Sequence, residues 1–219
     1  LLPAYIIIPF IFMGLCNFLK SFSLGIYFSC ILRVSLEYRT DRDSLGEVKI
    51  PKDAYYGAFT GRAIAQYHVT GKKSHQHLIS AYTMIKRSCA VANIKCGVLD
   101  RKSGNAIIAA CDRIMSGKFQ DQFVIEEINS GAGTAFNMNS NEVICNVALE
   151  ILGKKKGQNE FLHPNDHVNM SQSSNDTFPT AMHVAILLNL KETIPAVDVL
   201  IKSLNKKAKE FSGYKKIGR

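Results

Sequence analysis

The segment His163–Asp176 places the strongest constraint on what this chain can fold into. It reads His-Pro-Asn-Asp-His-Val-Asn-Met-Ser-Gln-Ser-Ser-Asn-Asp and has almost no apolar bulk, so it cannot be part of a hydrophobic core. Backbone and side-chain donors at this density suit a small anion, above all a carboxylate. The sequence therefore predicts a surface segment that binds an anion, with His167 and Asn169 holding the segment together.

A second polar segment, Ser130–Glu142, precedes the first. Its two glycines, Gly131 and Gly133, allow the backbone to approach a ligand closely, and the hydroxyl of Thr134 follows at once. Two donor-rich segments in one chain predict a site for a substrate that carries more than one carboxylate.

A long helical pattern of apolar residues follows the first polar segment. We expect the helix to start at Thr177 or Phe178, with Pro179 in its first turn. Pro195 is expected to kink or interrupt it. The apolar positions at helical spacing are Met182, Ala185, Ile186, Leu190, Val197, Leu200, Ile201 and Leu204.

The rest of the chain is predicted to be mainly α-helical, because strand patterns are few. Tyr38–Pro51 is expected to form an irregular arm or short strands. Apolar residues at helical spacing predict three further helices, and Asn139 or Asn141 is expected to cap the third. These helices are Leu78–Val98, Lys102–Ser116 and Ser140–Leu152.

Composition excludes some classes of function. Much of the net charge of +9 lies in Lys154–Lys156 and Lys202–Arg219. These runs fit solvated surface, or they steer a dianionic substrate towards its site. Aromatic residues are not interleaved with them, so nucleic-acid binding is not indicated. The six cysteines stand singly with no Cys-X-X-Cys pair, so neither a metal site nor a redox motif is expected.

Residues 1–36 form an apolar leader that we do not expect to belong to the fold of the remaining chain. Its first apolar stretch is just long enough to span a bilayer. It lacks the basic start and the small-residue cleavage site of a signal peptide. Three interpretations stay open: upstream sequence translated in error, a membrane anchor, or an unusual folded extension. Membrane association is expected only if the leader is native.

Both polar segments, in this order, resemble the fumarase/aspartase superfamily. The resemblance covers all but the first three dozen residues. It implies a mainly α fold, in which residues 37–176 form the N-terminal helical domain and residues 177–219 begin the central helical bundle as its first long helix, truncated here. It also implies a cytoplasmic homotetramer, with a place in the tricarboxylic acid cycle for a fumarase. The motifs that carry it are Tyr38–Gly46, Pro51–Gly57, Asp121–Phe123, Gly131–Thr134 and His163–Asp176.

The resemblance implies a reaction and a set of site residues. Family members release fumarate from a succinyl skeleton by anti-elimination, through an aci-carboxylate, with no metal and no organic cofactor. Taken one by one, the site residues also fit turn and cap chemistry. The implied substrate-binding residues are Thr134, Asn137, Ser173, Ser174 and Asn175. The implied secondary anion site consists of His163, Asn165 and Asp166.

Further catalytic groups of the family have no counterpart in these 219 residues. In the family a Thr-His pair follows directly after the position of Arg219, and a Gly-Ser-Ser loop with the proposed base serine comes later. We therefore expect residues 1–219 alone to have no lyase activity.

The sequence indicates two family activities. Asp53–Gly57 and Gly131–Thr134 are more typical of aspartase, and fumarases more often have Ser at the position of Ala132. Ser171–His183 is typical of class II fumarase, and aspartases usually have Thr at the position of Ser174. Because Ser174 lies in the substrate loop, we place class II fumarate hydratase first and aspartate ammonia-lyase second. A non-catalytic dicarboxylate-binding protein is the remaining alternative.

Overall fold

A computed structural model describes residues 37–129 and 131–218 of the chain. The leader, residues 1–36, lies outside these ranges, so the three interpretations of it stay open. The division of the remaining chain at residue 176 also stays a prediction.

The described part begins with a β-hairpin. Strand β1 (Tyr38–Asp43) pairs antiparallel with β2 (Gly46–Pro51), and Tyr38 lies opposite Pro51. Gly46 follows the two-residue turn with a φ of 116°, which an L side chain rarely adopts. The prediction of short strands in this segment is confirmed.

The other elements are helical, so the prediction of a mainly α fold is confirmed. Helix α1 was not predicted, whereas α2 and α3 agree with the expected helices within about three residues at each end. Two short turns, a 3-10 turn at Gln120–Gln122 and a π-helical turn at Pro164–Val168, complete the described elements. The helices are α1 (Ala58–Gln66), α2 (Gln76–Lys95), α3 (Arg101–Met115), α4 (Thr134–Ile151) and α5 (Ser174–Phe211).

Helix α4 lies at the centre of the core. It packs against α1 and α3, and α2 packs against α3 and α5. Nearly every α4 side chain from Ala135 to Leu149 is buried, including polar ones. These polar groups have partners: Asn139 accepts from Val124 N–H at 3.0 Å, and Asn146 donates to the Tyr55 carbonyl at 2.7 Å. The polar face of α4 therefore holds the surrounding loops in place.

The start of α4 differs from the prediction. The helix begins at Thr134, six residues before Ser140, and its N-cap is Gly133. Asn139 and Asn141 lie inside the helix and are fully buried, so their prediction as caps was wrong. The polar residues suggested a loop, but Asn139 is satisfied inside the helix because it bonds to Val124 N–H and to the Gln122 carbonyl. Within the described part of the chain, the Asn141 side chain bonds only to the sulfur of Met138, at 3.7 Å.

Helix α5 also differs from the prediction, because it runs through both of its prolines. It starts at Ser174, so Pro179 is its sixth residue, and Pro195 does not interrupt it. Each proline lacks an N–H for the carbonyl four residues earlier. Those carbonyls belong to Asn175 and Lys191, which are exposed and can bond to water.

Much of α5 beyond its first turns is exposed. Within residues 37–129 and 131–218, no helix combines the length and the apolar character that a membrane crossing requires. The exposed apolar side chains form what we call the apolar α5 surface. Its members are Met182, Ile186, Leu187, Leu190, Ile194, Val197, Leu200, Ile201 and Leu204.

Candidate active site

The two polar segments meet where α4 and α5 begin. Thr134 is the first residue of α4 and Ser174 is the first residue of α5. Their hydroxyl oxygens are 3.4 Å apart, although 40 residues separate them in the sequence. The fold therefore brings together hydroxyls from both predicted substrate-binding segments, beside the N-termini of two helices.

The loop before α4 depends on two glycines. Gly131, Ala132 and Gly133 all have positive φ values, of 78°, 50° and 87°. A Cβ atom on Gly133 would lie 2.3 Å from the ring of Phe178. Because Gly133 has no side chain, the Phe178 ring of α5 packs directly against this loop, and it also contacts the ring of Tyr82. The packing of Phe178 against this loop therefore holds the two polar segments together.

The start of α5 offers donors to solvent. The Ser173 hydroxyl caps the helix and accepts from the Asn175 N–H at 3.2 Å. Ser173 and Asn175 are both exposed. Ser173 therefore caps the helix. Its hydroxyl hydrogen and the amide of Asn175 stay accessible to a ligand.

A cleft of about 560 Å³ lies between the loop before α4 and the first turns of α5. Ala132, Gly133 and Asn175 line it, together with the apolar side chains of Phe178 and Met182. Helix N-termini carry partial positive charge and unpaired N–H groups, which favour an anion at this place, whereas the acidic side chain of Glu127 in the lining opposes it. The cleft is large enough for a small dicarboxylate.

Asn137 lies beneath the site rather than in its surface. Its side chain is only 4% exposed. Its carbonyl oxygen accepts from the Tyr82 hydroxyl and from the Lys86 ammonium, both at 2.8 Å. This geometry favours support of Thr134 from below over direct contact between Asn137 and a substrate.

Lys86 and Tyr82 were not predicted from the sequence as residues of the site. Both are fully buried, and burial lowers the pKa of Lys86 to about 7 and raises the pKa of Tyr82 to about 12. Lys86 also donates to Asn169 at 2.7 Å, and Tyr82 bonds to the Thr177 hydroxyl at 2.9 Å. A lysine four residues after a tyrosine, amid the apolar positions of a predicted helix, was the pattern that could have revealed them.

The predicted anion-site residues lie together, at the start of the π-helical turn. His163 Nδ1 accepts from the N–H groups of Asn165 and Asp166, both at 3.3 Å, and the Asp166 carboxylate lies 3.2 Å from the same atom. The expectation for His167 and Asn169 is confirmed: His167 accepts from the His163 N–H, and Asn169 donates to a carbonyl of the same segment.

The surroundings of His163 contain charges of both signs. His163 and Asn165 line a separate cleft of about 360 Å³, and the acidic side chains of Asp41, Asp43 and Glu142 line it too. The cation Arg42 also lines it, and Asp43 is paired with Arg62 at 3.0 Å, so the lining by itself neither selects nor repels an anion. The secondary anion site therefore stays a prediction.

Comparison with known proteins identifies the family. A sequence profile of the lyase family matches residues 46–219. An aspartate ammonia-lyase of a Bacillus species is 46% identical over 186 residues, which cover 85% of this chain and 40% of the relative. A class II fumarate hydratase of Campylobacter jejuni is 49% identical over 185 residues, which cover 84% of this chain and 40% of the relative.

Solved structures agree with these relatives. A fumarate lyase:delta crystallin structure from Brucella melitensis has a TM-score of 0.80 and 44% identity, over 84% of this chain and 43% of that one. A class II fumarase structure from Schistosoma mansoni has a TM-score of 0.76 and 36% identity, over 84% of this chain and 39% of that one. The chain belongs to the lyase family, as a member of the fumarase/aspartase superfamily. It spans about 40% of the length of these curated relatives.

Proposed function

We propose that the complete gene product containing these residues is a fumarate-forming lyase. The observation that carries the proposal is the 3.4 Å approach of Thr134 and Ser174 at the N-termini of α4 and α5. The Ser174 hydroxyl and two helix ends supply donors to one small anion without adding a charged side chain. The Thr134 hydroxyl donates to the Gly131 carbonyl at 2.5 Å, and we propose that it turns from this carbonyl to a bound substrate. The relatives named for fumarate hydratase and aspartate ammonia-lyase support the same class of reaction.

The chemistry explains why such donors matter. Removing a proton from a carbon beside a carboxylate develops a second negative charge on that group. Preorganised donors stabilise this aci-carboxylate because they already point at it before the reaction starts. We assign Thr134, Ser173, Ser174 and Asn175 to binding substrate carboxylates. The acid and the base are expected from the family's later motifs and complete the reaction from opposite faces.

L-Malate is our first substrate and L-aspartate our second. Ser174 is the residue that favours malate, and it lies directly at the meeting point of the two segments. The Gly131–Thr134 motif favours aspartate, because Ala132 stands where fumarases more often have Ser. The curated relatives include both activities at nearly equal identity, so the substrate is decided by experiment.

The test is the rate of fumarate formation, followed by ultraviolet absorbance, with L-malate and separately with L-aspartate. Turnover of malate alone supports fumarate hydratase, and turnover of aspartate alone supports aspartate ammonia-lyase. Binding of fumarate without turnover of either substrate would leave only the non-catalytic dicarboxylate-binding protein. No binding and no turnover would reject the proposal.

We also propose that the complete protein is a cytoplasmic homotetramer, built around helices such as α5. The apolar α5 surface supports this, because contiguous exposed apolar surface of this extent marks an interface. Light scattering on the complete gene product measures the assembly directly. A monomeric mass would contradict the proposal.

A further inference from the structure

A single buried lysine holds both polar segments of the candidate site. The ammonium of Lys86 on α2 donates to Asn137 on α4 at 2.8 Å and to Asn169, just before α5, at 2.7 Å. The Lys86 side chain is fully buried. Its two acceptors belong to the two segments whose hydroxyls meet above it.

Short paths lead from these acceptors to the substrate-binding residues. Asn137 lies one helical turn after Thr134. Asn169 donates through its amide nitrogen to the Gln172 carbonyl at 3.1 Å, directly before Ser173. One hydrogen bond therefore links Lys86 to a residue of α4, and two hydrogen bonds in series link it to the backbone just before Ser173.

Tyr82 provides a second connection between the same segments. Its hydroxyl bonds to Asn137 at 2.8 Å and to the Thr177 hydroxyl at 2.9 Å. Thr177 Oγ1 also lies 3.0 Å from the Ser173 carbonyl, and the two hydroxyl hydrogens serve two of these three contacts at a time. Lys86, Tyr82 and Asn137 thus form one connected polar network beneath the site.

Stability does not explain a lysine at this position. A buried ammonium loses its hydration, and within the described residues no carboxylate forms an ion pair with Lys86. The titratable groups nearest to it are the thiols of Cys89 and Cys111, and burial raises the pKa of both, so they stay neutral and do not balance its charge. Replacing buried charges by apolar side chains of similar volume is often neutral or stabilising. The lysine is therefore better explained by what it holds in place.

We propose that Lys86 is a positioning residue that sets the distance between Thr134 and Ser174 by binding both segments from beneath. The inference rests on the proposed function, because its purpose is to align substrate-binding hydroxyls. Lys86 itself does not contact the substrate. A misplacement of about 1 Å can cost on the order of 100-fold in rate, so such a residue has a large effect at a distance.

The test compares Lys86→Met with the unchanged complete gene product. We expect kcat/KM for the preferred substrate to fall about 100-fold, and a crystal structure of the variant to show Thr134 and Ser174 further apart. Ile79→Ala is the matched control, because Ile79 is buried on the same helix but packs in the apolar core. It should lower the melting temperature and leave kcat/KM within about threefold of the unchanged protein.

Asn169→Ala covers the case in which Lys86→Met fails to fold. It keeps the lysine and its bond to Asn137 and removes only the connection to the segment before α5. We expect Asn169→Ala alone to lose at least about tenfold in kcat/KM, and a loss of less than about threefold would overturn the inference. Where Lys86→Met folds, combining the two substitutions should add no further loss, and additive losses would also overturn it.

The outcomes separate this inference from the proposed function. If the unchanged protein forms no fumarate from either substrate, the proposed function fails and the inference fails with it. If the unchanged protein is active and Lys86→Met keeps kcat/KM within about threefold, only the inference fails. Equal kinetic losses in Lys86→Met and Ile79→Ala at equal melting temperature would show a merely structural role and would also overturn it.

Discussion

Two places in this molecule use helix N-termini in opposite ways. At the start of α1, the Glu142 carboxylate accepts from the N–H groups of Gly57, Phe59 and Thr60, at 2.8, 2.9 and 3.1 Å. At the starts of α4 and α5, a glycine and the Ser173 hydroxyl occupy the cap positions, beside an open cleft. One helix end is filled by a carboxylate of the protein, and the other two stay available for a carboxylate of a ligand.

The difference teaches how one interaction serves structure in one place and binding in another. Glu142 is buried, and burial raises its pKa, while the backbone N–H groups of α1 oppose that shift. It therefore acts as a permanent internal ligand. Thr134 and Ser174 carry no charge of their own, so the corresponding charge at the cleft can come from a substrate.

The largest expected effect follows from removing the Glu142 carboxylate from the N-terminus of α1. Glu142→Ala leaves three N–H groups at a buried site without their acceptor, and should destabilise the protein by about 4 kcal/mol. Urea unfolding of the complete gene product measures it. Glu150→Ala is the control, because Glu150 lies on the same helix but is exposed, and should cost under about 1 kcal/mol. Similar losses in both variants would contradict the structural role of Glu142.

The next effect is catalytic and concerns the open helix ends. Thr134→Val keeps the shape of the side chain and removes its hydroxyl beside Ser174. Loss of this substrate-facing hydroxyl should lower kcat by about 100-fold. The substitution also removes the bond from this hydroxyl to the Gly131 carbonyl, which should cost only about 1 kcal/mol of stability. Thr180→Val on the exposed side of α5 is the control and should leave the rate unchanged. A drop of less than about threefold for Thr134→Val would remove this hydroxyl from the site.

The helix starts at α1 and α5 also show how much of the site could be predicted from the sequence. The segment with Ser173 and Ser174 was correctly expected to lie outside the hydrophobic core, because composition is a local property of the chain, whereas the helix starts at Ser174 and not at Thr177 or Phe178. The role of Glu142 was not, because its partners lie more than 80 residues earlier, at Gly57 and Thr60. The same holds for α4: its polar residues resemble a loop until their distant partners are known.

The lysine network shows the same limit. The helical spacing correctly predicted α2, and therefore placed Tyr82 and Lys86 on one face. It could not show that this face meets Asn137 and Asn169, which lie 51 and 83 residues away from Lys86. Periodicity predicts that a face is buried, whereas only packing decides whether that face holds a core or a polar network.

A smaller effect tests the close approach at the filled helix end. A Cβ atom on Gly57 would lie 2.7 Å from Glu142 Oε1 and 3.0 Å from Asp41 Oδ2. Gly57→Ala should therefore push the carboxylate away from the helix and destabilise the protein by about 2 kcal/mol. Gly213→Ala is the matched control, because its Cβ would meet open space. An unchanged urea midpoint for Gly57→Ala would show that Glu142 can move without loss.

The smallest expected effect is the pH dependence of stability that the buried Lys86 side chain causes. In the unfolded chain Lys86 titrates near its ordinary pKa of 10.5, and in the folded protein near 7. Between these values the unfolded state binds one more proton, so stability rises with pH, by about 1.4 kcal/mol per unit. Below about pH 7 both states are protonated, and the dependence ends.

Burial also raises the pKa of the neighbouring Cys89 thiol, and raises that of Cys111 to about 12. These thiols lose their protons first in the unfolded chain and so lower stability as pH rises, but they do so in Lys86→Met as well, and the difference between the two proteins isolates the lysine. Urea unfolding at pH 7.5 and 8.5 should therefore show the unchanged protein gaining about 1.4 kcal/mol relative to Lys86→Met. Lys95→Met, at an exposed position of the same helix, should show no such gain. Parallel pH dependence in the unchanged protein and Lys86→Met would mean that the lysine stays charged when folded. Lys86 would then be a permanent internal charge beneath the helix ends at the cleft.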